Sequence, residues 1–185
     1  MLTKLACAKA QQSLVSLLTF STVVFSLSPA IAGQFGGRGY FDHAPYLSAS
    51  RASSYAPNSP ALYEFTLTVP SNAGAALQSI KVVQDPNLDR VHFDPNRSQA
   101  FLGSTAQGQL LPLAATGGEL PKDASEAIVT FNPPIQPGQT VTVALDATAN
   151  PWHSGVYLFG VTAYPEGDQT SGLFLGYGRI QFQSR

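Results

Sequence analysis

The chain has 185 residues, ten of them Lys or Arg and eleven Asp or Glu, and only 11% of it is charged. No basic cluster occurs, so a nucleic-acid partner, held chiefly by neutralising phosphates, is not expected. A single cysteine, Cys7, excludes a disulfide framework and a Cys-ligated metal centre.

The amino terminus carries Lys4 and Lys9 and no acidic residue before Asp42. An apolar stretch runs from Leu14 to Leu27, Pro29 breaks it, and Ala30-Ile31-Ala32 places small residues where a signal peptidase cuts. Residues 1–32 are therefore expected to be a cleavable secretory signal, with the working protein starting near Gly33. A retained anchor needs roughly 20 predominantly apolar residues. Here the core is shorter and holds Ser16, Thr19, Ser21, Thr22 and Ser26. Cys7 precedes the apolar core, so it leaves with the signal and is not placed for lipid attachment. What remains has eight basic and eleven acidic residues and no further segment of membrane-spanning length. A soluble domain is expected in the periplasm, a thylakoid lumen or the medium. A chain of roughly 150 residues buries about two-thirds of its unfolded surface and can stand without disulfides.

Residues 33–60 are rich in Gly, Ser, Ala and Pro, interrupted by Phe35, Tyr40, Phe41, Tyr46 and Tyr55. This composition suggests an amino-terminal arm that packs partly on the domain through its aromatic rings, with the domain itself spanning 61–185. From Leu62 the pattern has period two: Tyr63, Phe65, Leu67 and Val69 share one face, and Glu64, Thr66 and Thr68 the other. Pro70 and Ser71-Asn72-Ala73-Gly74 stop that strand. Residues 77–84 form the next, with Ile80 and Val82 on one face. Shorter candidates lie at 90–93, 99–103 and 109–113, then Ala127–Phe131 before the Asn132-Pro133-Pro134 break. Thr140–Asp146 alternates again, with Val141, Val143 and Leu145 inward. Gly155–Tyr164 and Leu173–Gln183 are long and aromatic, and the apolar run Val156–Val161 suits the middle of a sheet. Gly160, Gly176 and Gly178 suggest bulges or close approach. Single helical turns are candidates at 72–79 and 121–127. Seven to nine strands punctuated by Pro and Gly predict an all-β antiparallel sandwich of immunoglobulin-like type, with a small closed barrel as the alternative.

Candidate chemistry is sparse. Asp85, Asn87 and Asp89 alternate as in a calcium loop, but Arg90 stands where such a loop needs Gly and Asn96 where it needs Glu. A polar turn explains the same residues. His43, His92 and His153 are weak metal candidates, lacking the short spacings that put two ligands on one element. No G-x-S-x-G motif is present, and the Gly36–Gly39 run lacks the strand-to-helix context of a phosphate loop. Asp123 with Glu126 is a carboxylate pair only by spacing. Asn96-Arg97-Ser98 matches a glycosylation triplet. Most rings of the last two strands are expected in the core, whereas Trp152 and Tyr164, if outward, suit a glycan or protein partner.

Several stretches taken together are characteristic: Phe41-Asp42-His43-Ala44-Pro45, Tyr63–Pro70 leading to Ala73-Gly74, Ala100-Phe101, and Pro134-Ile135-Gln136-Pro137-Gly138. Asn150-Pro151, Gly155–Pro165 and Leu175-Gly176-Tyr177-Gly178-Arg179 complete them. The chain resembles a cyanobacterial family of exported proteins with a domain of unknown function. The resemblance implies an extracytoplasmic setting and transfers no catalytic residue. The functional expectation is a non-enzymatic exported domain, without cofactor, that binds a protein or glycan of the cell envelope. The alternative is a metal-handling protein using the histidines and nearby carboxylates.

Overall fold

The computed structural model describes residues 34–35, 38–116 and 125–183. The expected signal over 1–32, Cys7 within it, Gly36-Gly37 and Asp123 lie outside the described residues, as does most of the turn expected at 121–127.

Two short strands, β1 (Gln34–Phe35) and β2 (Arg38–Gly39), pair with each other, and Gly39 bridges to Thr170. The remaining strands are β3 (Tyr46–Ala52), β4 (Ala61–Thr68), β5 (Leu77–Gln84), β6 (Phe93–Leu102) and β7 (Gln109–Leu111). They continue with β8 (Leu113–Thr116), β9 (Glu126–Ile135), β10 (Thr140–Ala147), β11 (Gly155–Pro165) and β12 (Leu173–Phe182). They form two five-stranded antiparallel sheets, ordered β3-β4-β10-β6-β7 and β12-β11-β5-β9-β8. Strands β3, β4, β10 and β6 thus take the places of A, B, E and D of an immunoglobulin domain, and β12, β11 and β5 those of G, F and C. Strand β7 extends the first sheet; β9 and β8 extend the second. The fold is an immunoglobulin-like sandwich, and neither sheet closes into a barrel.

Period-two alternation builds the core between the sheets. Tyr63, Phe65 and Leu67 of β4 are fully buried opposite Phe159, Val161 and Ala163 of β11. The rings of Tyr63 and Phe65 approach Phe159 with centroids 5.5 and 5.9 Å apart, and Phe93 packs edge-on to Tyr63 at 5.6 Å. In antibody domains a disulfide joins these same two strands. Here interlocking rings hold the sheets together, each pair contributing about 0.5–1.5 kcal/mol beyond its buried area.

The structure differs from the sequence pattern in several places. The candidate at 109–113 divides at Pro112 into β7 of the first sheet and β8 of the second, and the described residues give the sandwich ten strands where seven to nine were expected. Tyr46–Ala52, within the segment of arm-like composition, pair with β4 as an edge strand of the first sheet. Their small and polar side chains suit an edge exposed on one side. The candidates at 90–93 and 99–103 join into β6, which passes through Pro95 because the pairing with β10 is interrupted between Gln99 and Asp94. Proline is tolerated there because no ladder N–H is required. Similarly, β9 continues through Asn132-Pro133-Pro134, whose register against β5 shifts between Ser79 and Leu77. Finally, residues 72–79 hold a turn followed by β5, not a helical turn.

Gly178 marks a close approach between strands. It lies opposite Phe159 in the β11–β12 pair, and an added Cβ would stand 2.8 Å from Phe65 and 3.0 Å from Ser50. Ser50 Oγ also donates to the Arg179 carbonyl at 3.3 Å, so β3 closes this side of the sandwich against β12. Gly178→Ala is expected to destabilise the fold by about 1–3 kcal/mol through overpacking, measured by denaturant unfolding.

Candidate functional site

Three connections meet at one end of the sandwich: 53–60 between β3 and β4, 85–92 between β5 and β6, and 148–154 between β10 and β11. Buried side chains tie them together. Asn150 accepts a hydrogen bond from the Tyr63 hydroxyl at 2.9 Å and donates to the carbonyls of Ser54 and Ala56, each at 2.9 Å. Its backbone N–H reaches the Ser59 carbonyl at 2.8 Å. Gln84 accepts from Val91 N–H at 2.7 Å and donates to the Asp89 carbonyl at 2.8 Å, holding the middle connection in shape. Asn87 donates to the Val156 carbonyl at 2.9 Å while its oxygen accepts from Leu88 N–H.

The tightest polar cluster joins Asp89, His153 and Tyr157. The His153 N–H donates to Asp89 Oδ2 at 2.7 Å, and His153 Nδ1 lies 3.0 Å from Oδ1. The Tyr157 hydroxyl stands 3.2 Å from Asp89 Oδ2 and 3.1 Å from the His153 carbonyl, with one proton to share between them. A tyrosine at the start of this strand, bonded to backbone a few residues upstream, is the tyrosine corner of immunoglobulin-like folds. The cluster therefore braces the 148–154 connection. The His153 N–H chiefly holds the Asp89 carboxyl below its usual range, against the opposing effect of burial. Burial first, and the Asp89 charge second, push the Tyr157 hydroxyl up to about 12. Tyr63 is raised further, mainly by burial.

The sign for stability follows from linkage. A carboxylate depressed in the folded state stabilises the fold above its unfolded pKa, about 3.9, and loses that contribution as pH falls through the lower folded value. Asp89→Asn is thus expected to flatten the acid limb of a stability–pH profile below about pH 4, measured by thermal unfolding. The raised tyrosines act at the other end. Their contribution is complete below about pH 10, and that of Tyr157 is lost as pH rises toward about 12.

The residues singled out from sequence fall into separate places. Asp85 and Asn87 line a cleft of about 200 Å³ with Arg90, Ser125 and Glu126. Asp89 turns away from it to His153 and Tyr157, so the three alternating oxygens do not converge. His43 places Nδ1 2.9 Å from the Asn72 carbonyl, and His92 is exposed on the connection just before β6. Among the described residues no group of three or more His, Cys, Asp or Glu is placed to hold a metal ion. Ser98 of the glycosylation triplet is buried, with its hydroxyl bonded to the Asp94 carbonyl and the Asp146 N–H.

Trp152 is 68% exposed, at the braced end, and Leu88 beside the Asp89–His153 contact is 80% exposed. Tyr164 is half-buried near the far end of β11, against Gly172. Nine residues of strand separate Gly155 from Tyr164, about 30 Å at ~3.3 Å per residue, so Trp152 and Tyr164 do not share one site. Five rings not singled out from sequence for partner contact are also exposed: Tyr40, Tyr46, Tyr55, Phe174 and Tyr177. Phe174 and Tyr177 meet edge-on at 5.2 Å above Gly160. The signal for them was Gly176, at φ 122°, where a bulge shifts the β12 register and puts Tyr177 on the outer face opposite Gly160. Tyr157, Phe159 and Phe182 are buried, as their alternation suggests.

These features define an immunoglobulin-like sandwich with a rigidly braced loop end that presents an indole to solvent. No helix among the described residues is long and apolar enough to cross a membrane. The chain belongs to the family described as protein of unknown function (DUF2808), whose model matches residues 38–182. No curated protein matches it in sequence. Among solved structures it is similar to a Nocardia farcinica protein described as having an immunoglobulin-like fold, at 14% identity and TM-score 0.45, covering 74% of this chain and 97% of that one. It is also similar to the collagen-binding domain of a Staphylococcus aureus adhesin, at 5% identity and TM-score 0.42, covering 76% and 97%. A third is the N-terminal domain of the Streptococcus gordonii adhesin Sgo0707, at 16% identity and TM-score 0.47, covering 77% and 33%. Likenesses at this level carry nothing about ligand.

Proposed function

We propose that this chain is an exported, non-enzymatic binding module that contacts a protein or glycan of the cell envelope through the Trp152 end of the sandwich. The observation that carries this reading is an indole left 68% exposed on a connection whose backbone is fixed by Asn150, Asp89 and Tyr157. Covering that ring would gain on the order of 3 kcal/mol from apolar burial. The rigid connection spares the ordering cost that a free loop would incur on binding. The signal-like segment over 1–32 supports an extracytoplasmic address, whether periplasm, thylakoid lumen or medium.

The test uses immobilised protein against separated protein and polysaccharide fractions of the envelope. Saturable binding that weakens on Trp152→Ala supports the reading. Repeated absence of saturable binding, or binding indifferent to Trp152, overturns it.

A further inference from the structure

The two outer faces of the sandwich differ in kind. On the first sheet the side chains turned away from the core are mostly polar, with Glu64, Thr66 and Thr68 of β4 beside Thr140 and Thr142 of β10. That is the usual solvent face of an antiparallel sheet. On the second sheet the corresponding face is apolar. Strand β11 turns Val156, Leu158 and Gly160 outward, and Gly160 lies between Tyr177 of β12 and Val83 of β5. One outward position further on, Phe174 and Lys81 flank Thr162, and Ile128 of β9 stands beside Lys81. Val156, Phe174 and Tyr177 are exposed, while Leu158, Val83 and Ile128 are half-buried.

This face is also level. The rings of Phe174 and Tyr177 meet edge-on across Gly160, where an added Cβ would stand 3.2 Å from Phe174 and 3.5 Å from Tyr177. They lie over the glycine and do not project as separate posts. A level sheet face is complementary to another sheet of the same twist, packed ~10 Å away, whereas a sugar or an extended peptide would cover only a strip of it. From Val156 to Thr162 and across four strands the face measures on the order of 500 Å² in plan, at ~3.3 Å per residue and ~4.8 Å per strand. Set against a second copy of itself it removes about 1,000 Å² of surface or more, the size of a small specific interface. Its charges are of both signs: Lys81 amid the apolar residues, Glu126 beside Val83 and Arg179 beside Leu158. Isologous contacts are reciprocal, so a two-fold axis can set Lys81 of one copy against Glu126 of the other. We infer that the outer face of β12, β11, β5 and β9 is a self-association surface that pairs two copies of this chain sheet to sheet. The inference is independent of the Trp152 reading, because Trp152 lies on the connection before β11 and not on this face.

Sedimentation equilibrium of the purified protein over a wide concentration range tests the pairing. A reversible monomer–dimer equilibrium is expected. Leu158→Lys and Thr162→Arg should each weaken the dimer about tenfold or more, because each buries an unpaired charge between the copies. Thr162 is outward and only half-buried, so its variant keeps the test decisive should Leu158→Lys unfold; circular dichroism identifies the folded preparations. Gln99→Arg, on the outer face of the first sheet, and Trp152→Ala should leave the dimer unchanged. A strict monomer at every concentration overturns the inference. So does a dimer indifferent to Thr162→Arg, or one lost on Gln99→Arg or Trp152→Ala. Trp152-dependent envelope binding by a strict monomer would leave the contact surface standing while the pairing falls.

Discussion

Phe159→Ala is expected to lower the stability of the domain by about 3–5 kcal/mol, the largest single loss among these predictions. Phe159 is wholly buried and touches the rings of Tyr63, Phe65 and Phe93, which come from the opposite sheet. Truncation removes the transfer free energy of the ring and leaves a cavity that rigid strands on both sides close poorly. It also removes three ring contacts at the place where antibody domains carry a covalent link. Urea unfolding monitored by far-UV circular dichroism measures the loss. With total stabilities commonly 5–15 kcal/mol, the variant should sit at or near the edge of folding. A loss below about 1 kcal/mol would mean that the aromatic cluster is not what joins the sheets.

Trp152→Ala should have the opposite profile: little change in stability and a large change in binding. The indole makes few internal contacts, and surface substitutions of this kind usually stay within about 0.5 kcal/mol. Binding to the envelope partner should weaken tenfold or more, the usual behaviour of a central aromatic anchor. Comparing thermal unfolding with affinity for the same preparation separates the two effects. A destabilised variant would instead make Trp152 a structural part of the braced end. Asn150 makes the contrast sharper, since its side chain is buried and bonded to Tyr63, Ser54, Ala56 and Ser59, and its loss would loosen the same end from within.

Much of the fold could be read directly from residue order. The alternation in β4 and β10 named the inward faces correctly for Tyr63, Phe65, Leu67, Val141, Val143 and Leu145, because one face of each strand meets the other sheet. β10 nevertheless also buries Thr142, Ala144 and Asp146. It lies mid-sheet, with Thr142 bonded to Thr66 and to the Gly103 carbonyl, and Asp146 paired with Arg97. A two-letter hydrophobic pattern does not register such polar pairing. The strands through Pro95 and Pro133 were hidden for a related reason: proline breaks a ladder only where its N–H would have been used.

The candidate site was much less legible. Trp152 could be named from sequence as an outward candidate, but the packing of Tyr55 on Phe182 joins positions more than 120 residues apart that no local pattern connects. The alternating oxygens at 85–89 gave a calcium-like pattern that the fold resolves into separate tasks, with Asp89 bracing His153 and Asn87 holding the Val156 carbonyl. By itself the sequence determined the all-β class, the inward faces of β4 and β10 and the absence of any disulfide from the part expected to be exported, since composition and period-two pattern are local properties. Which polar and aromatic residues face one another was decided only by tertiary structure, because sheet order and a single bulge at Gly176 choose the neighbours and the side to which each ring turns.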